Sequence, residues 1–242
     1  LNINNEETIV KINYKDLLKR LHLLTSFFSN FPFFHILFFL TFAKNEFSYY
    51  LFTSIENQIF QNMIAQELLN PKSIVVVGAS GDTHKPGGSV LKNLINSNFK
   101  GEIYTVNPKE TEVQGIKCFQ KVDDLPQVDC AIIAIAAKYC PATVNTLAFE
   151  KGTKGFIIVS AGFGEENEQG AEFERQIVET VNKVGGSLIG PNCTGFLNRN
   201  YCGAFDAPIP TLDPHGVDFV TGSGATAVFI KEYGITNGLT FN

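Results

Sequence analysis

The chain has 242 residues, 44% of them apolar and 18% charged, with a formal net charge of −5, which allows one large domain or one and a half smaller ones. Residues 63–242 hold 14 Lys+Arg against 19 Asp+Glu, with the lysines scattered singly, so no basic face exists for nucleic-acid binding and that partner class is set aside. The five cysteines, Cys118, Cys130, Cys140, Cys193 and Cys202, are odd in number and form no CxxC pair; a reduced, cytoplasmic protein without a metal site fits best.

Composition divides the chain at residue 62. All 21 glycines follow that point, while 11 of the 22 phenylalanines precede it, a split that a globular domain rarely shows. Residues 1–62 are therefore expected to be a leader outside any domain, translated from AT-rich DNA upstream of a natural start at Met63. The rival is a membrane or signal segment, because Leu23 to Ala43 is strongly apolar. Asn30, Pro32 and His35 interrupt the run of about 20 apolar residues that a spanning helix needs, and no small-residue cleavage site follows. No membrane partner is expected.

From Met63 a short helix runs to Asn70 and is stopped by Pro71. Strands are predicted over Ser73 to Val77, Glu102 to Val106, Cys130 to Ala136, Gly155 to Ser160 and Ser187 to Ile189. Each is short, apolar and β-branched, as strands buried on both faces of a parallel sheet are. Between them come helices over Gly88 to Asn98, Pro141 to Lys151 and Glu166 to Val184. This alternation predicts an α/β fold with a Rossmann-like, doubly wound parallel sheet, which takes its ligands at the carboxyl ends of the strands. After Pro208-Ile209-Pro210 and the turn Asp213-Pro214-His215-Gly216 the pattern restarts, with a strand at Val217 to Val220, a helix at Ser223 to Tyr233 and a strand at Gly238 to Phe241. The boundaries follow: a leader at 1–62, a first domain at 63–213, and at 214–242 the truncated start of a second, flavodoxin-like α/β domain.

The chemistry starts at the first turn. Ile74 to Val77 ends on Gly78-Ala79-Ser80-Gly81, and Gly87-Gly88 opens an amphipathic stretch. A strand, a glycine turn and a helix N-terminus together make an anion site, because free backbone N–H groups and the helix dipole converge there. The dinucleotide fingerprint GxGxxG is not met. Nor does the second strand end on the acid that a nicotinamide dinucleotide places on its ribose; it ends Val106-Asn107-Pro108-Lys109. A lysine there favours a ribose phosphate, such as the 3′-phosphate of coenzyme A or the 2′-phosphate of NADP, unless it is simply a solvated loop lysine.

Four segments in order, Pro71-Lys72-Ser73-Ile74-Val75-Val76-Val77-Gly78-Ala79-Ser80, Val106-Asn107-Pro108-Lys109, Ser160-Ala161-Gly162-Phe163 and Gly190-Pro191-Asn192-Cys193-Thr194-Gly195, resemble the CoA-binding part of NDP-forming, including ADP-forming, acyl-CoA synthetases. These are relatives of the succinyl-CoA synthetase α subunit. The resemblance covers about Ile64 to Asn242. It implies that Gly78, Ala79, Ser80, Gly81 and Asp82, with Lys85 nearby, wrap the CoA phosphates and that Lys109 lies near the adenosine end. Ile135, Ala136 and Ala137 match a strand end along which the CoA chain runs, and Asn192 and Cys193 match a turn near its thiol. Ser223 and Gly224 resemble the start of a helix that points at a phosphorylated histidine in the second domain.

Simpler roles exist for some of these. Asn192 suits a tight turn held by side chain to backbone hydrogen bonds. Cys193 has no histidine near it in sequence, which favours a buried inert thiol over a nucleophile. Glu165, Glu166 and Glu168 read as the acidic first turn of the following helix, stabilised by its dipole. His22 and His35 lie in the leader, His84 in the phosphate turn and His215 in a turn between domains, so none matches the phosphorylated position, which is expected beyond Asn242. The resemblance thus implies a CoA-binding fragment of an ADP-forming acyl-CoA ligase, with acetate or another small acid as acyl substrate. ATP or ADP and Mg²⁺ would belong to an ATP-grasp domain or β subunit. A stand-alone CoA-binding regulatory module and an NAD(P)-binding oxidoreductase domain are the alternatives.

Overall fold

A computed structural model describes residues 64–97 and 99–242. The leader 1–62, Met63 and Asn98 lie outside the described residues. The elements in chain order are α1 (Gln66–Leu69), β1 (Ser73–Val77), α2 (Pro86–Asn96), β2 (Glu102–Val106), β3 (Glu112–Val113), β4 (Ile116–Phe119), β5 (Cys130–Ile133), α3 (Cys140–Glu150), β6 (Gly155–Ile158), α4 (Glu168–Lys183), β7 (Ser187–Ile189), β8 (Leu212–Val217) and α5 (Gly224–Thr236).

Seven strands form one sheet in the order β3-β4-β2-β1-β5-β6-β7. All neighbours pair in parallel except β3, which runs antiparallel to β4. The sheet is doubly wound, and its residues alternate as a period of two requires. Val75, Val77, Ala131, Ile133, Phe156 and Ile158 pack on one face with Val144, Leu147, Ile177 and Val181 from α3 and α4. Ile74, Val76, Cys130, Ile132 and Ile157 pack on the other with Val90, Leu91 and Leu94 from α2. Burial of each of these Val, Leu, Ile or Phe side chains contributes about 1.5–3 kcal/mol. Chain order turns back at β1, with β2 on one side and β5 on the other, so the crevice of this fold lies between the carboxyl ends of β1 and β5.

Several predicted elements shift. The helix expected from Gly88 starts at Pro86, because a proline at the first helical position sacrifices no intrahelical bond. The strands expected to reach Ala136 and Ser160 end at Ile133 and Ile158, where the chain turns into the loops above the sheet. Asn167 caps α4 through its side chain, which accepts from Gly170 N–H at 2.9 Å, so that helix begins at Glu168 rather than Glu166. The hairpin β3–β4 was not expected; its two-residue turn, Gln114-Gly115, has φ of 51° and 82°, the positive pair that a type I′ turn requires.

The segment from residue 212 onward is corrected most. The strand occupies Leu212–Val217, across the expected Asp213 to Gly216 turn, and 218–220 lie outside any strand. Its partner is Phe241, which bridges to Leu212 and Val217, while Gly238 to Phe241 forms no full strand. Pro214 is tolerated because an edge strand has unpaired positions.

Tyr201 closes the core on the α2 side. It is 1% exposed, packs edge-on to Phe99 at 6.2 Å, and donates its hydroxyl to the Leu68 carbonyl of α1 at 2.7 Å. Tyr201→Phe leaves that buried carbonyl without its donor, and we expect a loss of about 1–3 kcal/mol in urea-induced unfolding.

Candidate functional site

The turn after β1 is shaped by backbone packing. Gly78 has φ of +85°, and a Cβ there would lie 2.4 Å from the Ala134 carbonyl oxygen and 2.9 Å from Ile135 Cγ2. On Gly87 it would lie 2.1 Å from the Gly78 carbonyl oxygen, and on Gly88 2.0 Å from that of Asp82. Three stretches of main chain, the turn, the start of α2 and the loop after β5, thus touch where no side chain fits.

Within the turn Asp82 N–H donates to Ser80 Oγ at 3.1 Å, His84 N–H to Asp82 Oδ1 at 3.0 Å, and Lys85 N–H to the Asp82 carbonyl at 3.1 Å. Lys85 is the cap residue of α2, whose N-terminus carries neither an acidic side chain nor a side-chain cap. Among the described residues the N–H groups of Ser80 and Gly81 find no protein acceptor. The surface from Gly81 to Pro86 is exposed. Open N–H groups beside an uncapped helix N-terminus suit an anion of several oxygens.

Two residues to which the sequence assigned no role brace this turn. Asn107 donates from Nδ2 to the Ala79 carbonyl at 2.8 Å, while its Oδ1 accepts Lys109 N–H at 2.9 Å. Gln114 donates from Nε2 to the carbonyls of Ser80 and Gly88, both at 2.9 Å. Exposed Lys109 is therefore tied through Asn107 to the glycine turn. No single segment of the sequence signals Gln114, because its contacts depend on strand register and its positive φ is seen only in the structure.

The other expected residues stand at the carboxyl ends of the same parallel strands. Ile135, Ala136 and Ala137 follow β5, Ile135 against Gly78 and Ala137 against the loop after β6, where a Cβ on Gly162 would sit 3.3 Å from that of Ala137. In that loop Glu165 is no first-turn residue: its carboxylate accepts from Gly162 N–H at 2.7 Å and Phe163 N–H at 3.2 Å. Desolvation pushes the other way, yet these donors, with the Glu165 N–H, hold its carboxyl below the usual range. Only Glu168 lies in the first turn of α4.

Asn192 and Cys193 lie beyond β7. Asn192 N–H donates to the Ser160 carbonyl at 2.9 Å, and Asn192 has φ of 54°. Cys193 Sγ lies 3.4 Å from the Ile158 carbonyl oxygen, and burial pushes its thiol up. The neutral thiol is thus favoured at neutral pH, the reverse of what a nucleophile needs. Thr194 then meets the start of α5, where a Cβ on Gly224 would sit 2.9 Å from Thr194 Cγ2. Ser223 caps that helix, accepting from Thr226 N–H at 3.3 Å. A cleft of about 860 Å³ separates the 188–197 segment from 209–231. His84 and His215 are both exposed. Among the described residues no group of three or more His, Cys, Asp or Glu is placed to hold a metal ion, and no helix is long and apolar enough to cross a membrane.

Residues 72–199 match a family model described as a CoA binding domain. The chain is 46% identical over 134 residues to acetate–CoA ligase (ADP-forming) II of Archaeoglobus fulgidus, covering 55% of this chain and 20% of the relative. It is 39% identical over 175 residues to acetate–CoA ligase (ADP-forming) II subunit alpha of Pyrococcus furiosus, covering 72% and 37%. Among solved structures it is similar to a dinucleotide-forming acetyl-coenzyme A synthetase 1 of Ca. Korarchaeum cryptofilum in complex with phosphate and ADP, with a TM-score of 0.66 and 30% identity over 74% of this chain and 38% of that one. The chain thus spans well under half the length of these relatives.

Two outcomes are expected of the site as built. Gly78→Ala forces a left-handed alanine against a carbonyl and should destabilise the fold by about 2–5 kcal/mol in denaturant titration. Cys193 should react with iodoacetamide at pH 8 much more slowly in the native chain than in urea, and its native rate should keep rising at pH values above the ordinary thiol range; peptide mapping at timed quenches checks both.

Proposed function

The chain belongs to the CoA-binding domain family, and we propose that it is the CoA-binding part of an ADP-forming acyl-CoA ligase acting on acetate or another small acid. One observation carries this reading: a glycine turn at the strand-order switch, with open N–H groups, is linked by a single residue, Asn107, to a lysine. A ligand with a pyrophosphate at one point and a further phosphate near its ribose suits that spacing of positive character. CoA is such a molecule, and it contributes a thiol that accepts and releases the acyl group.

The proposed roles follow from position. Gly78, Ala79, Ser80, Gly81 and Asp82 form the pyrophosphate turn, where main-chain N–H groups and the α2 dipole oppose the negative charge. Lys85 adds positive charge at the cap of α2, and Lys109 faces the 3′-phosphate. Ile135, Ala136 and Ala137 give an apolar edge for the pantetheine chain, and Asn192 with Cys193 shapes the turn near its end. Cys193 holds its proton and serves as packing.

We further propose that residues 214–242 begin a second, ligase domain, with 63–213 as the CoA-binding domain. The support is α5, which presents Phe229 at 67% and Tyr233 at 63% exposure, beside Val220 at 96%. A helix this apolar on its outer face is one that further chain covers. In the complete enzyme so proposed, acyl-CoA, phosphate and ADP interconvert with acid, CoA and ATP through acyl phosphate and a phosphohistidine. Ser223 and Gly224 would then open the helix whose N-terminus faces the phosphoryl group, and the nucleotide and Mg²⁺ would be held by an ATP-grasp domain or β subunit.

Calorimetric titration with CoA, dephospho-CoA and NADH tests the reading. CoA should bind tightest, and Lys109→Ala should weaken CoA about fivefold while leaving dephospho-CoA unchanged. Tightest binding of NADH would overturn the CoA assignment, and equal affinity of the unaltered chain for CoA and dephospho-CoA would remove the role given to Lys109.

A further inference from the structure

We infer that Gln114 is a positioning residue for the proposed phosphate-binding turn, acting from a hairpin on the far side of β2; the inference rests on the CoA reading above. Its geometry is unusual in two independent ways. The backbone of Gln114 is left-handed, with φ of 51°, a conformation that glycine or asparagine adopts more readily than glutamine does. The same residue spends both donors of its side-chain amide on carbonyls of the turn and of the helix that follows it, Ser80 and Gly88, each at 2.9 Å. A glutamine at a turn position that glycine or asparagine fills more readily, with its side-chain amide spent on the neighbouring turn, points to a role for that side chain.

The contact has a clear electrostatic consequence. A turn that binds an anion must keep its N–H groups towards the ligand and its carbonyl oxygens away, since each carbonyl carries the negative end of the peptide dipole. The turn is open to solvent from Gly81 to Pro86, so its peptide planes are held by the contact with Gly88, by the turn's own hydrogen bonds and by Gln114. Gln114 fixes the Ser80 carbonyl from behind, which fixes the plane of the Ser80–Gly81 peptide and with it the Gly81 N–H. The bond to the Gly88 carbonyl joins the first turn of α2 to the same anchor. Gln114 itself touches no ligand in this arrangement; it acts through the peptide it holds.

Gln114→Gly separates this role from a structural one. Glycine relieves the left-handed backbone and keeps the hairpin turn but leaves the Ser80 and Gly88 carbonyls without their donor, so the thermal midpoint should fall by no more than about 5 °C. CoA affinity should nonetheless fall about tenfold by calorimetry. Dephospho-CoA affinity should fall by the same factor, because it keeps the pyrophosphate and lacks only the group assigned to Lys109. Unchanged CoA affinity in Gln114→Gly would overturn the inference, as would a loss confined to CoA with dephospho-CoA unaffected, or an equal loss in Tyr201→Phe, which lowers stability away from the turn. Failure of the unaltered chain to bind CoA would overturn the functional reading itself and this inference with it.

Discussion

The site depends on a close approach of three backbones. Gly78, Gly87 and the Ala134 carbonyl meet where an added Cβ would lie 2.1–2.4 Å from an oxygen, so the end of β1, the start of α2 and the end of β5 are locked together without side chains. That contact places the helix N-terminus at the switch point of the sheet. In the proposed assignment it also accounts for how few charged residues a site for a highly charged ligand has at its centre. Main-chain dipoles are fixed by packing, whereas exposed lysines are screened and lose side-chain entropy when they are held.

Packing alone does not orient the turn beyond buried Ala79, since the chain emerges into solvent from Gly81. Two amides do so, each sent from a part of the chain distant in sequence: Asn107 is 28 residues from Ala79, and Gln114 is 34 from Ser80. Both belong to the β2–β3–β4 edge, whose register against β1 is set by Val77 pairing with Val106 and by Val106 pairing with Phe119. The edge that looks peripheral in the sheet order is therefore a brace. In the proposed assignment it also joins the two ends of the CoA phosphates, because Asn107 holds Ala79 on one side and Lys109 on the other.

Much of this was legible in the sequence, and the rest was not for definite reasons. The core strands β5 and β6 are uninterrupted apolar runs, so their existence was plain while their carboxyl ends were not. Hydrophobicity continues through Ala134 and Val159 after the sheet has ended, whereas β1 stops at Val77 as its glycine turn predicts. The glycine turn could be read because only glycine suits its backbone. The hairpin β3–β4 is hidden, since Glu112-Val113 is too short for a pattern and Gln114-Gly115 is not one of the Asn-Gly or Asp-Gly turns that announce a type I′ hairpin. The bracing amides could not be found from one segment at a time, because they are made by strand register. Glu165 was misread for a related reason: an acid before a helix looks like a dipole partner, whereas here it folds back on the N–H groups of its own loop.

The last helix of the described chain is tied to α2 through the 204–206 segment. Ser89 Oγ donates to the Phe205 carbonyl at 2.5 Å and Asn93 Nδ2 to that of Ala204 at 2.9 Å, so α2 carries the 204–206 segment on its flank. Asp206 pairs with Lys231 of α5, and both side chains are largely buried, at 17% and 12% exposure. Such a pair adds little net stability, since desolvation offsets most of the attraction, but each charge strongly disfavours any arrangement that leaves it without the other. Its effect is on position. The helix that reads the glycine turn on one side thus fixes, through Asp206 and Lys231, where the N-terminus of α5 meets Thr194. If α5 opens a second catalytic domain, as proposed, the pair sets the distance between the CoA thiol turn at Cys193 and the helix end that faces phosphate.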